Sequence, residues 1–165
     1  MKTRPKDIGT TAETAITRTA HTHGFPHAHR LALAGNKDQG DIQLDRNIII
    51  EAKAGHTAET ASDTLITTWL QQTRIETTNH PTATIGFLVT KRPGHGPKNA
   101  HNWWAHFTHQ TWANLIGYQL PANADPTTTI RTTLGSALAL LKAKGYGADT
   151  SKDVRADVRA QEVIK

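Results

Sequence analysis

Ile48-Ile49-Ile50 is a run of three β-branched apolar residues, bounded by Asp45-Arg46-Asn47 before it and Glu51-Ala52-Lys53 after it. β-branched side chains favour extended chain. Side chains alternate faces along a strand, so an unbroken apolar run is stable only where both faces are covered. The run therefore predicts a strand in the middle of a sheet. Gly40-Asp41-Ile42-Gln43-Leu44 precedes it across the polar group Asp45-Arg46-Asn47, whose residues suit a tight turn. Read as a hairpin with those three residues as its loop, Leu44 faces Ile48 and the ladder sets Asp41 opposite Glu51. Directly opposed residues have Cβ atoms about 5 Å apart. Glu51 and Lys53 share a face, so two acids and one amine converge at the end of an apolar hairpin.

Two carboxylates that close repel each other unless a positive group lies between them. A hard divalent cation such as Mg²⁺ suits them, because it takes one or two carboxylates and keeps waters and substrate phosphate in its shell. An adjacent ammonium can position a water or stabilise charge on a phosphate. That set of groups belongs to metal-assisted phosphodiester hydrolysis. A hairpin with a charged, solvated face has the same spacing, and spacing does not separate the two readings.

The chain has 165 residues, the size of one domain with a substantial core. Lys and Arg number 19 against 14 Asp and Glu, a formal charge of +5, which favours polyanionic partners. There is no cysteine, which excludes disulfides and thiolate-ligated zinc. No apolar run nears the roughly 20 residues that span a bilayer, and a cytoplasmic protein is expected.

Residues 1–8 read as a loose basic arm. A helix follows from Thr10 or Thr11 to near Gly24, carrying Ala12, Ala15, Ile16 and Ala20. Arg30 to Ala34 reads as a first strand, and residues 35–40 as a turn. After the hairpin, residues 57–78 form a second helix with Ala58, Ala61, Leu65, Trp69 and Leu70 near helical spacing. Ile85–Thr90 is a fourth strand, residues 91–98 a basic Gly/Pro loop, and Trp103–Phe107 a fifth strand. Residues 110–118 and 127–144 read as helices, and residues 149–165 as a charged stretch with Val154, Val158 and Ile164 at partial helical spacing. The expected fold class is α/β: a mixed five-stranded sheet flanked by helices, ordered α-β-β-β-α-β-β plus C-terminal helices. If the third and fourth strands run parallel, their crossover is right-handed. Residues 1–120 form the expected core, and 121–165 a C-terminal helical extension.

In this order the motifs resemble the PD-(D/E)XK nuclease superfamily, and within it the archaeal-type and phage Holliday junction resolvases. Glu13 on the first helix, Arg30, the Gly35-x-x-Asp38-x-Gly40-Asp41-Ile42 turn and Ile48-Ile49-Ile50-Glu51-Ala52-Lys53 carry the resemblance. Trp69-Leu70-Gln71-Gln72, the strand Gly86–Arg92 and Trp103-Trp104 continue it, over about residues 10–107. The resemblance implies a restriction-endonuclease-like core in which Asp41, Glu51 and the Ala52 carbonyl bind Mg²⁺, with Mn²⁺ as a substitute. Lys53 orients or activates the attacking water, and Glu13 reaches the site from the first helix. It implies a homodimer acting on branched DNA in recombination and repair, because a two-fold junction needs two cuts. A nuclease of this fold with another DNA substrate, or a DNA-binding module without cleavage, are the alternatives. One departure is Gly40, where the family usually places proline.

Arg30, Gln71, Lys91, Arg92 and Lys98 are the expected DNA contacts, with the basic loop residues as a phosphate clamp. Each has a plainer reading as a solvated or salt-bridged surface group. Asp38 reads as the cap of its own turn. The cluster His21, His23, His27 and His29 has no tetrahedral spacing and is broken by Gly24 and Pro26, so surface histidines fit it better than zinc. Of Trp103 and Trp104, on alternate faces of a strand, at least one belongs to the core.

Overall fold

The computed structural model describes residues 3–33 and 35–148; the stretch 149–165 and its partial helical spacing lie outside the described residues. The elements are α1 (Pro5–Thr22), β1 (His29–Arg30), β2 (Ile42–Asp45), β3 (Ile48–Lys53), α2 (His56–Glu59) and α3 (Asp63–Asn79). They continue with β4 (Ile85–Thr90), a 3₁₀ helix (Pro97–Asn102), β5 (Trp104–Thr108), α4 (His109–Ile116), β6 (Thr129–Thr133) and α5 (Leu134–Ala143). Among the described residues six strands form one open mixed sheet in chain order, β1 to β6. β3 and β4 pair parallel, and the other neighbours pair antiparallel. A parallel pair needs a crossover of a dozen residues or more, and α2 and α3 supply it.

The isoleucine run lies where its composition demands. Ile48, Ile49 and Ile50 are fully buried in β3, between β2 and β4. Ile48 and Ile50 join Ile42, Phe87 and Phe107 against Ala12, Ala15 and Ile16 of α1 and Leu134, Leu138 and Leu141 of α5. Ile49, Glu51 and Lys53 point to the other face, which α3 covers through Ile66 and Leu70 packed on Leu88. Glu51 and Lys53 of β3 therefore share their layer with α3.

Several expectations change in the structure. Helix α1 starts at Pro5, so residues 5–8 are its first turn and not a loose arm. Proline is favoured at the first helical position because its missing N–H has no intrahelical partner there anyway, and Asp7 suits the positive end of the helix. The helix expected over 57–78 is broken: α2 ends at Glu59, and Ser62 caps α3 by accepting from the Leu65 N–H at 3.2 Å. A sixth strand, β6, lies inside the segment read as a helix from Thr127. Thr129, Ile130, Thr132 and Thr133 are β-branched, and this local preference prevails over the helical spacing that α5 carries further on. β6 pairs along all of β5, so the C-terminal segment through residue 143 completes the sheet and core.

The close seat of α3 on β4 depends on Gly86. A Cβ there would lie 1.9 Å from the Thr77 hydroxyl, whose hydrogen the Thr73 carbonyl accepts at 2.7 Å. Gly86→Ala is expected to destabilise the fold by about 1–3 kcal/mol in chemical denaturation, the usual cost of overpacking. Adding Thr77→Ala should restore most of the loss. An undiminished loss in the double variant would mean that the helix does not rest on this contact.

Candidate active site

The β2–β3 hairpin places the first two acids. Ile42 pairs with Ile50 and Gln43 with Ile49, which continues to Asp41 opposite Glu51. Near the turn the register shifts: Asp45, not Leu44, opposes Ile48, and the loop shortens to Arg46-Asn47. The bulge takes up the extra residue at the turn and leaves the Asp41 end in the expected register. The Asp41 N–H donates to the Ile50 carbonyl at 3.1 Å, and the Ala52 N–H donates to Asp41 Oδ2 at 2.8 Å. The carboxylate thus replaces one ladder acceptor and is fixed beside β3. Gly40 has φ of +91°, a value closed to proline, and a Cβ there would sit 2.9 Å from Ile49 Cδ1.

Lys53 lies two residues beyond Glu51 on the same face, and its Nζ donates to Glu51 Oε1 at 2.6 Å. The Glu51 side chain is 5% exposed and that of Lys53 26%, so the amine sits at the mouth of the site. Glu13 reaches this end of the sheet from α1, in the opposite layer, and accepts from Arg30 Nε at 2.7 Å. Its charge also raises the pKa of Asp41.

A fourth acid, Glu76 of α3, was not expected from the sequence. It is 1% exposed, and neither of its oxygens has a hydrogen-bond partner among the described residues. It faces Glu51, whose Oε2 is also buried without a partner. The signal was present in the helix itself: Ile66, Leu70, Thr73 and Glu76 form the buried stripe of α3, and an acid on such a stripe needs a partner.

The electrostatics follow from this packing. Burial first, and then the Glu51 charge, push Asp41 up to about 7 against the opposing pull of the Ala52 N–H. Burial likewise pushes Glu51 up to about 7; Lys53 opposes the rise and Glu76 adds to it. Burial raises Glu76 as well. Lys53 is pulled down by burial, yet its bond to Glu51 and the surrounding acids hold it above the ordinary lysine range. The amine stays protonated, while Asp41 and Glu51 are only partly ionised at neutral pH for want of further positive charge.

The donors present fit a hard divalent cation. Glu51 Oε2 and both Glu76 oxygens are buried without donors, and the set is all oxygen. Among the described residues no group of three or more His, Cys, Asp or Glu side chains is spaced to hold a metal by itself. Asp41 and Glu51 offer two carboxylates, the number Mg²⁺ commonly takes before waters complete its shell.

The remaining expected residues are spread more widely. Arg30 is tied to Glu13, and Lys91 donates to Glu59. Arg92 lies over the Trp104 ring, its guanidinium carbon 4.0 Å from the centroid. Lys98 is exposed in the 3₁₀ helix, and Gln71 is exposed on α3, turned about 140° from Glu76 at roughly 100° per residue. Asp38 accepts from the Gly40 N–H at 3.0 Å and so caps its own turn. His21 and His23 hydrogen-bond backbone carbonyls at 2.7 and 2.8 Å. Trp103 is core, and its indole N–H donates to the His95 carbonyl at 2.8 Å. No helix is long and apolar enough to cross a membrane among the described residues.

Comparison with known proteins returned no matching family model, curated relative or solved structure.

Proposed function

We propose that this chain is a Mg²⁺-dependent DNA endonuclease with a restriction-endonuclease-like core, selective for branched DNA in the manner of a Holliday junction resolvase and working as a homodimer. One observation carries the reading. Asp41 and Glu51 meet across β2 and β3 with Lys53 bonded to Glu51, at the end of the sheet where Glu13 and Glu76 arrive from opposite layers. A divalent cation would replace the protons that burial otherwise holds on these acids up to near pH 7.

Asp41, Glu51 and the Ala52 carbonyl would hold Mg²⁺, with Glu76 behind Glu51. When bound, the cation supplies Lewis-acid stabilisation of charge on the phosphate and on the leaving oxygen. Lys53, protonated and partly exposed, presents N–H donors to an attacking water or to a phosphate oxygen. Asp41 is held in place by the Ala52 N–H, so its position does not depend on substrate. Glu13 ties Arg30 at the rim, where the guanidinium can turn to a phosphate.

The test is incubation with a four-way junction, a flap and a linear duplex, each with and without Mg²⁺. Paired symmetric nicks at the junction, dependent on the metal, are the expected result. Equal cutting of linear duplex would move the reading to a nuclease with another substrate. Binding without cutting in Mg²⁺ or Mn²⁺ would leave a DNA-binding module.

A further inference from the structure

A second cleft opens on the same face of the sheet as Glu51 and Lys53. Cross-strand pairs share a face. One row of pairs runs Lys53, Thr90, Trp104, Thr133, and the next runs Glu51, Leu88, His106, Arg131. Trp104 therefore stands two strands from Lys53, about 10 Å at the usual strand spacing. Beside it lies a cleft of about 540 Å³ whose walls include Ile66, Thr90, His106, Thr129 and Arg131.

Two features of this cleft have no part in the carboxylate chemistry. The first is a pair of guanidinium groups on one indole. Arg92 lies 4.0 Å and Arg131 4.2 Å from the Trp104 ring centroid. Arg131 stands in the row before Trp104, and Arg92 follows Thr90 by two residues, so they flank the ring along the strand direction. Neither forms a salt bridge among the described residues. Two like charges on one aromatic group repel each other, and an anion shared between their forks relieves this. The second is a pair of unpartnered polar atoms in the lining. His106 Nδ1 and Thr129 Oγ1 are buried with no hydrogen-bond partner, while His106 Nε2 is occupied by the Thr90 hydroxyl at 2.9 Å. The acids of the cleft lie on the helix side, where Glu59 is bound by Lys91 and Asp63 sits in the first turn of α3. The arginine side is left to the anion.

We propose that this cleft is a nucleotide subsite, in which Arg92 and Arg131 grip a backbone phosphate and the unpaired base of that nucleotide enters to meet His106 and Thr129. The inference rests on the nuclease reading for its substrate class and extends it: the strand running from the carboxylates across Trp104 is unpaired. Trp104 serves as the plate that sets the two forks. An unpaired base enters at least cost, because no pairing and the least stacking is lost.

The test uses the full chain without divalent metal, a fluorescein-labelled single-stranded oligonucleotide and a blunt duplex of the same length, read by anisotropy over a salt series. Arg131→Ala is expected to weaken single-strand binding about tenfold and to lower the salt slope by about 0.7, one phosphate contact. Arg131→Lys should recover part of the affinity. Thr129→Val keeps shape and removes the unpartnered hydroxyl; its melting temperature should match or exceed that of the unaltered chain, while single-strand binding weakens and duplex binding holds. Single-strand affinity unchanged in either Arg131→Ala or Thr129→Val overturns the proposal. The variants leave Asp41, Glu51 and Lys53 intact, so the two readings fail separately. Metal-dependent cutting with unchanged Arg131→Ala binding removes the subsite alone. Lost Arg131→Ala binding with no cutting in any metal removes the nuclease alone.

Discussion

Lys53→Ala and Glu51→Gln are each expected to lower Mg²⁺-dependent cleavage of a four-way junction by about 10²–10³-fold while leaving junction affinity within about threefold. The size follows from what each group faces. Lys53 is the ammonium at the mouth of the site, and removal of one preorganised donor of this kind costs about 10²–10³ in rate. Glu51 is buried, and its amide replacement removes one acid of the pair that β2 and β3 bring together, so the rate should fall through weakened hold on the proposed metal. Binding should be largely spared, because the other proposed phosphate contacts, Arg30, Arg92 and Arg131, are left in place. The two variants should also differ in their metal response. High Mn²⁺ should rescue part of Glu51→Gln, whose geometry is kept, and none of Lys53→Ala, which lacks a group no metal replaces. Gel-resolved cleavage under single-turnover conditions measures both. Wild-type rates in either variant would show that the chemistry lies elsewhere on the molecule.

The candidate site's geometry was legible where local pattern fixed it. Ile48 to Ile50 had to be a central strand, and the alternation along it put Glu51 and Lys53 on one side. The hairpin then set Asp41 against Glu51 even though the turn carried a bulge, because a bulge at the tip leaves the far end in register. What local pattern could not supply was anything created by packing between layers. The stripe of α3 marks Glu76 as buried, but that it faces Glu51 depends on how α3 seats on β4 through Thr77 and Gly86, a contact between residues distant in sequence. β6 was hidden for a related reason. Thr129 to Thr133 extends because β5 offers an unpaired edge, and the same stretch runs directly into α5, whose apolar spacing reads back over it. The start of α1 is a different case: proline followed by an acid in the first turn was available as a signal, and the basic charge of the segment obscured it.

The pH dependence of the metal-free fold gives the second large effect. In an unfolded chain carboxyl groups titrate near 4. In the folded chain Asp41 and Glu51 titrate near 7, raised mainly by burial. Between these values the folded state holds more protons than the unfolded one, so stability falls as pH rises. The contribution is complete below about 4 and is lost on passing through 7. The loss is on the order of several kcal/mol, or roughly 10–20 °C in melting temperature for a chain of this size. Mg²⁺ should restore the loss at pH 8, where the acids are ionised, and add little at pH 5.5, where protons occupy the same oxygens. Glu76→Gln isolates the cause. The amide removes the like charge that faces Glu51 and supplies the donor that Glu51 Oε2 lacks. Without metal at pH 8 the variant should melt several degrees above the unaltered chain, a gain of about 1–2 kcal/mol. Its decline from pH 5.5 to 8 should be shallower, and Mg²⁺ should raise its melting temperature less. Calorimetric melts at the two pH values, with and without Mg²⁺, test all three results together. A Glu76→Gln curve parallel to that of the unaltered chain would mean that Glu51 and Glu76 do not repel across the gap between α3 and β3.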